Sequence, residues 1–506
     1  MAVSVRTRKR AGKTGSTGKG ITFSAMAGIA SLVAGVILLP IVITAVGADA
    51  YGTWLFLLAA ATFLFFLDLG VGTAVVHYIA RSRSGDPGTD PDSIASTAHA
   101  WALGATVIAI AVFALLAWSH AEDALLHVSR EELTILICCG VALLVSMTLR
   151  PMSSVLFGAG YLHIERRNQI VGVAMRIAGT LVACFGWSSV AGVAIAETVA
   201  LIAPTLLSAY TAARLKIVRL NWTSISRAEL ARMFTYSIGA FSVSMVGAAV
   251  LQFGTLIIGL LGTPGQVTYF NASFRIYVSV RQIIGWLTDP FRSVLSRLYV
   301  NNPARARSVL YDLLFVSFIT SSLGCTFLIV TLPSIVELWL GDSVPLHEVA
   351  LASSALLAGL VLNSMHIPLI PASDAAGSPG AFLPHQLAWL VSYAGLSLLL
   401  FPSLGIVGVA LAMTIPLPAL EFAYLLRSRK TVELDFETWY RRVIHPTLPT
   451  LLLGVLAAAI SHVLSSEFYG VLAAGAVYVA ISLLVLYLTR RKWRYATILD
   501  SLRLES

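Results

Sequence analysis

FSAMAGIASLVAGVILLPIVITAVG, residues 23–47, is the stretch from which the fold is read. It carries no charge, and as a helix it spans about 37 Å, more than the about 30 Å of a bilayer's hydrocarbon core. A basic stretch precedes it and Ala48-Asp49-Ala50 follows, as in a secretory signal. The apolar run from Ile21 to Val46 is nevertheless too long for a signal core of about 7–15 residues, so it reads as a retained transmembrane helix.

Runs of this kind recur. Fourteen segments are expected: 21–46, 53–80, 97–119, 133–157, 169–187, 190–213, 234–261, 266–291, 309–332, 349–373, 382–401, 405–426, 447–464 and 469–489. The whole chain is 57% hydrophobic and 12% charged, with a mean hydropathy of +0.84. Soluble domains carry about 25% charged residues. The fold class is therefore all-α, a polytopic membrane protein of about 14 helices.

A net charge of +9 raises the question of nucleic acid. The placement of the charges answers it. Twenty-nine of the 34 Lys and Arg residues fall on one side of the predicted topology, one (Arg130) on the other, and four inside segments. That is the positive-inside pattern, with both termini cytoplasmic and an even number of helices. The basic balance calls for no nucleic acid. On the outer side, residues 119–132 are acidic and 333–348 are amphipathic, and neither is large enough for a catalytic domain. The inner loop 215–233 is expected to lie as a surface helix against anionic lipid.

Residues 236–262 (YSIGAFSVSMVGAAVLQFGTLIIGLLG) parallel residues 23–47. Each copy is a Ser/Gly/Ala-rich helix, then a short outer turn, then a long helix holding charge. The copies are the first and seventh segments, an offset of six, so they share an orientation, as in transporters built of parallel repeats. The expected organisation is a disordered basic tail (1–20), an N-lobe (21–213), a linker (214–233), a C-lobe (234–426), two further helices (447–489) and a cytoplasmic C-terminal tail (490–506).

The four cysteines, Cys138, Cys139, Cys184 and Cys325, lie in apolar stretches without C-x-x-C spacing, so no metal or redox site is expected. Gly18-Lys19 lacks the glycines and the preceding strand of a nucleotide-binding loop. No cofactor is called for.

Leu38-Leu39-Pro40, then Gly47-Ala48-Asp49-Ala50-Tyr51-Gly52, then Phe66-Leu67-Asp68-Leu69-Gly70 resembles the opening of the Wzx-type polysaccharide flippases. These belong to the multidrug/oligosaccharidyl-lipid/polysaccharide (MOP) exporter superfamily. Val46-Gly47 stands where leucine-glycine is common in the turn. The resemblance covers about 60 positions. It implies two six-helix lobes that alternate access around a cavity lined by the first, second, seventh and eighth segments. The implied cargo is a polyprenyl-diphosphate-linked oligosaccharide, moved from the inner to the outer leaflet of the cell membrane. Membrane lipid and the glycan polymerase and glycosyltransferases of the same pathway are the implied partners.

Residues 271–292 (NASFRIYVSVRQIIGWLTDPFR) are the candidate site. Charge in the hydrocarbon region is rare unless it faces a cavity or a partner. Asn271, Arg275, Gln282 and Asp289 fall on one helical face, with Arg275 near the midplane; Arg281 lies about 120° away, grouped with Tyr277 and Arg292. Guanidinium forks suit a diphosphate. Arg275, Arg281, Asn271 and Gln282 are therefore the substrate-binding candidates, against the alternative that an arginine pairs with a carboxylate or helix-end carbonyls. Depth counting places Asp68 and Arg176 together near the inner third as an ion pair or a coupling site, and leaves Glu197 nearer the outer face without a mate. His77 and His366 read as core residues. Pro40, Pro290 and Pro368 are expected to kink their helices, and Gly28, Gly35, Gly70, Gly72, Gly239 and Gly247 to allow close helix approach.

Competing readings are a cation-coupled drug or metabolite exporter, which favours cavity carboxylates over arginines, and a membrane glycan polymerase or ligase. The last needs clustered catalytic residues in a large outer loop. No G-x-S-x-G or H-E-x-x-H occurs, so no enzyme is expected.

Overall fold

The computed structural model describes residues 15–83, 90–288, 291–378 and 380–448, with isolated positions 451, 452, 455, 478 and 480 beyond them. The structure is helical, with no strand among the described residues. In the first half lie α1 (Gly15–Val46), α2 (Ala48–Leu64), α3 (Val71–Arg83), α4 (Pro91–Ser119), α5 (Arg130–Ser146), α6 (Arg150–Gly158), α7 (Leu162–Gly186) and α8 (Val190–Arg214). The second half holds α9 (Arg227–Leu261), α10 (Pro264–Thr288), α11 (Phe291–Asn301), α12 (Pro303–Leu340), α13 (Leu346–Asn363), α14 (His366–Ala375), α15 (Leu383–Thr414) and α16 (Leu417–Thr431).

Nine stretches among the described residues are long and apolar enough to span a membrane, and Met245–Leu261 is a shorter apolar helix. The surface agrees with a lipid solvent: Trp118, Phe185, Trp187, Val391 and Leu399 are exposed. Small polar residues such as Ser317, Ser321, Ser322 and Ser353 are wholly buried instead, where they let helix backbones approach. The count of fourteen is not confirmed: the thirteenth and fourteenth segments and the C-terminal tail lie almost entirely outside the described residues, the eleventh and twelfth run on as one stretch (Leu383–Thr431), the seventh contributes only the shorter helix, and α10 is not among the nine. Residues 1–14 and Asp289–Pro290 lie outside the described residues as well.

Several boundaries differ from expectation. The second segment is broken at its inner third: a 3₁₀ turn (Phe65–Asp68) is followed by Leu69 at φ 50° and Gly70 at φ 76° before α3 begins. Gly405, at φ 54°, kinks α15. Loop 215–233 forms no separate surface helix; it runs irregularly to Ser226, whose hydroxyl caps α9, and Arg227 and Arg232 fall in that helix's first turns. Residues 333–340 continue α12 rather than lying on the outer surface.

The basic end is knitted by polar contacts. The Asp92 carboxylate accepts the Arg219 N–H (2.8 Å), Arg83 donates to the Ala159 carbonyl (2.8 Å), and Arg307 pairs with Glu433. This arginine-rich side is called inner below.

The two halves meet along α1–α4 on one side and α9–α10 on the other. At the outer end α2 packs directly on α10. A Cβ added to Gly52 would lie 1.7 Å from the Pro264 carbonyl oxygen, and the Thr268 hydroxyl donates to the Ala48 carbonyl (2.7 Å). Nearer the inner side the Ser237 hydroxyl donates to the Gly70 carbonyl (2.9 Å), and His77 stacks on Tyr236 at 4.2 Å.

Because the Gly52 contact is backbone against backbone, nothing at the outer seal can swing aside. Gly52→Ala should cost about 1–3 kcal/mol of packing, read as a lower unfolding midpoint of the purified protein in detergent. Gly104→Ala, which meets nothing within 4 Å, is the control. Identical melting of the two variants would refute the seal.

Candidate functional site: a charged cluster where the halves meet

Antiparallel helices α7 and α8 turn back on each other through residues 187–189, with Ser188 at φ 48°. A hairpin sets residues about equally far from its turn side by side, which brings Arg176 against Glu197. The guanidinium donates twice to Glu197 Oε1, from Nη2 at 2.6 Å and from Nε at 3.2 Å. Two residues of α2, one helical turn apart, complete the shell: Trp54 Nε1 donates to Oε2 at 2.7 Å, and the Tyr51 hydroxyl to Oε1 at 3.4 Å. Glu197, Tyr51 and Trp54 are fully buried.

Arg275 comes from the other half. Its Nη1 donates to the Gly35 carbonyl of α1, where a Cβ would come within 2.9 Å of the guanidinium and push it aside. It lies close enough to Tyr51, Arg176 and Glu197 to share their field. Gly35 and Arg275 stand at matched depths, each about 17 Å from the outer end of its helix. The cluster therefore holds two guanidiniums against one carboxylate. Glu197 is spent on Arg176, and among the described residues Arg275 bonds only a neutral carbonyl, so within the cluster one positive charge is left over at mid-depth.

A family profile described as polysaccharide biosynthesis protein matches residues 17–288, more than half the chain and the part that contains the whole cluster. The chain belongs to this family. No curated protein matches it by sequence. Its fold is that of the MOP transporters. It is similar to lipid II flippase MurJ in an inward closed conformation, at 14% identity over 93% of this chain and 99% of that one, with a TM-score of 0.66. An inward-facing multidrug resistance MATE transporter of the MOP superfamily matches at 17% identity over 82% and 94%, TM-score 0.62. A MATE transporter of Vibrio cholerae matches at 13% over 84% and 99%, TM-score 0.52.

Within this member of the family, the residues singled out from sequence part company. Arg275 is in the cluster. Arg281 is not: its buried guanidinium lies beside the Tyr277 hydroxyl, within its field. It points into the second half, where His366 and Glu421 form a buried pair at 2.9 Å. Asn271 turns back on its own half, donating to the Thr255 hydroxyl (3.3 Å) and the Val267 carbonyl (3.2 Å). Gln282 is half-buried and outside the cluster. The expected stripe is therefore not continuous, and its inner member Asp289 lies outside the described residues.

The expected Asp68–Arg176 pair does not form. Helix α7 starts at Leu162, seven residues before the apolar run, which puts Arg176 about 21 Å from its inner end, well above Asp68. Asp68 instead accepts the Gly72 N–H (3.2 Å) and lies in the field of Arg150. Glu197, read as mateless, is the anchor. The missed signal is symmetric spacing about a tight outer turn: Arg176 stands eleven residues before Trp187, and Glu197 eight after Ser189. Of the histidines, His77 packs on Tyr236, whereas His366 has a carboxylate partner.

Removing one partner of a buried pair strands the other. Glu197→Ala should destabilise the protein by about 3 kcal/mol, and the double variant Glu197→Leu/Arg176→Met by clearly less. Denaturant unfolding in micelles measures both. A double variant no better than Glu197→Ala would show the pair is not what holds these helices.

Proposed function

We propose that this protein is a flippase that carries a polyprenyl-diphosphate-linked oligosaccharide from the inner to the outer leaflet for cell-surface polysaccharide synthesis. The supporting observation is the uncompensated charge of Arg275 at mid-depth between the halves. A diphosphate brings the negative charge that this position lacks, and a guanidinium offers it paired N–H donors. Family membership and a fold similar to that of a lipid II flippase support the same class of activity. A cation-coupled exporter calls for free carboxylate at this point, and Glu197 is occupied by Arg176, Trp54 and Tyr51.

On this reading the two halves act as lobes, 21–213 and 234–426, that rock about the cluster, with both termini cytoplasmic. Arg275 gives up the Gly35 carbonyl for the diphosphate, and the outer seal at Gly52 opens. The chain moves its cargo without altering it chemically. The enzymes that build and polymerise the glycan are the partners to be expected, on either side of the membrane.

In a strain lacking the native gene, Arg275→Ala should abolish surface glycan while the protein inserts normally. Arg275→Lys, which keeps charge but loses the fork, should restore part of it. Surface labelling of glycan together with a membrane-fraction blot reads both. Normal export by Arg275→Ala would sink the role given to Arg275.

A further inference from the structure

A second polar space lies below the cluster. It is a cavity of about 700 Å³ in the inner third of the first half, bounded by the broken α2–α3 region, α6, α7 and α8. Gln252 of α9 closes it from the second half. Its volume is in the range of ligand pockets. The cavity takes its charges from Asp68, Glu165, Arg150 and Arg166, two of each sign, so it is balanced where the cluster above is not.

Three polar atoms of its lining are buried with no hydrogen-bond partner among the described residues: Glu165 Oε2, Arg166 Nε and Ser153 Oγ. The first accepts only, the second donates only, and the third does either. A simple cation satisfies the acceptor alone, and an anion the donors alone. Neighbouring hydroxyls, each both donor and acceptor, satisfy all three. The same wall holds the aromatic rings of Phe65, Phe66 and Phe157, apolar faces of the kind the C–H face of a sugar packs on. The Arg150 guanidinium carbon lies 4.7 Å from the Phe65 ring centroid, and Gln169 links Arg166 (2.8 Å) to Glu165 (3.2 Å), so the polar groups are held in place.

One helix joins the two spaces. Glu165, Gln169, Gly172 and Arg176 repeat at the spacing of a single face of α7, and Glu165 stands about 16 Å along the axis from Arg176.

We propose that this cavity seats the glycan: a subsite for uncharged, hydroxyl-rich sugar residues, separate from the diphosphate position at Arg275. The inference rests on the flippase reading and adds to it the charge class of the sugar.

The test measures binding to the purified full chain in lipid nanodiscs with three probes: undecaprenyl diphosphate alone, the same lipid bearing a neutral disaccharide, and the same lipid bearing a uronic-acid disaccharide. The neutral sugar should raise affinity about tenfold over the bare diphosphate. Glu165→Gln and Gln169→Ala should each erase most of that gain and leave the bare diphosphate unchanged, which also shows that they fold. Wild-type protein that binds no diphosphate overturns the flippase reading and the subsite with it. Wild-type protein that binds bare and sugar-bearing lipid equally, or prefers the uronic acid, overturns the subsite alone. So does an equal loss of all three probes in Glu165→Gln.

Discussion

The buried carboxylate of Glu197 is the constraint on which the first half depends. In a soluble protein its lone pairs could turn to water, but among lipid-facing helices each must find a donor within the protein. Two bonds from Arg176 on α7, and one each from Trp54 and Tyr51 on α2, meet that need. The carboxylate thereby ties α2 to the α7–α8 hairpin in the outer half of the bundle, where packing of similar apolar surfaces gives little direction. Tyr51 and Trp54 follow directly on the outer turn after α1, so the same bonds also fix the entry of α2 into the membrane.

Close approach between the halves rests on glycine. Gly35 admits Arg275, and Gly52 admits the backbone of α10. These are different devices. At Gly52 backbone meets backbone, with no side chain between them to yield. The Arg275 contact ends in a long side chain whose carbonyl partner any stronger acceptor can replace. A rigid seal outside an exchangeable polar contact is the order in which bound cargo could govern opening, since a ligand shifts a conformational equilibrium only by differential interaction with its states.

Much of this was legible in the sequence, and the remainder was not for identifiable reasons. Length and apolarity announce a spanning helix whatever it packs against, so the helical class and most segments emerged. The charges at Arg275, Arg176 and Glu197 stood out because hydrocarbon makes them rare. Their pairing did not, because depth counting assumes that a helix starts where its hydropathy starts. Helix α7 begins with Leu162-His163-Ile164-Glu165-Arg166-Arg167, polar residues that hydropathy assigns to a loop. That shift moved Arg176 away from Asp68. The second segment failed in the opposite sense, since Leu69 and Gly70 interrupt a run whose hydropathy is continuous.

The two arginines of α10 show what rotation about a helix decides. Six residues apart, Arg275 and Arg281 differ by about 120° in direction, and at the boundary between two packed bodies that angle is the difference between outside and inside. Arg275 faces the other half and touches α1, so its surroundings change whenever the halves move apart. Arg281 faces Tyr277 and the interior that holds His366 and Glu421, so its neighbours all belong to its own half. A group can couple binding to motion only if its environment differs between the end states. By that criterion, on the flippase reading proposed above, the mid-depth arginine at the interface is the better placed of the two to link cargo to the outer contact, because Arg281 lies among buried polar groups of its own half.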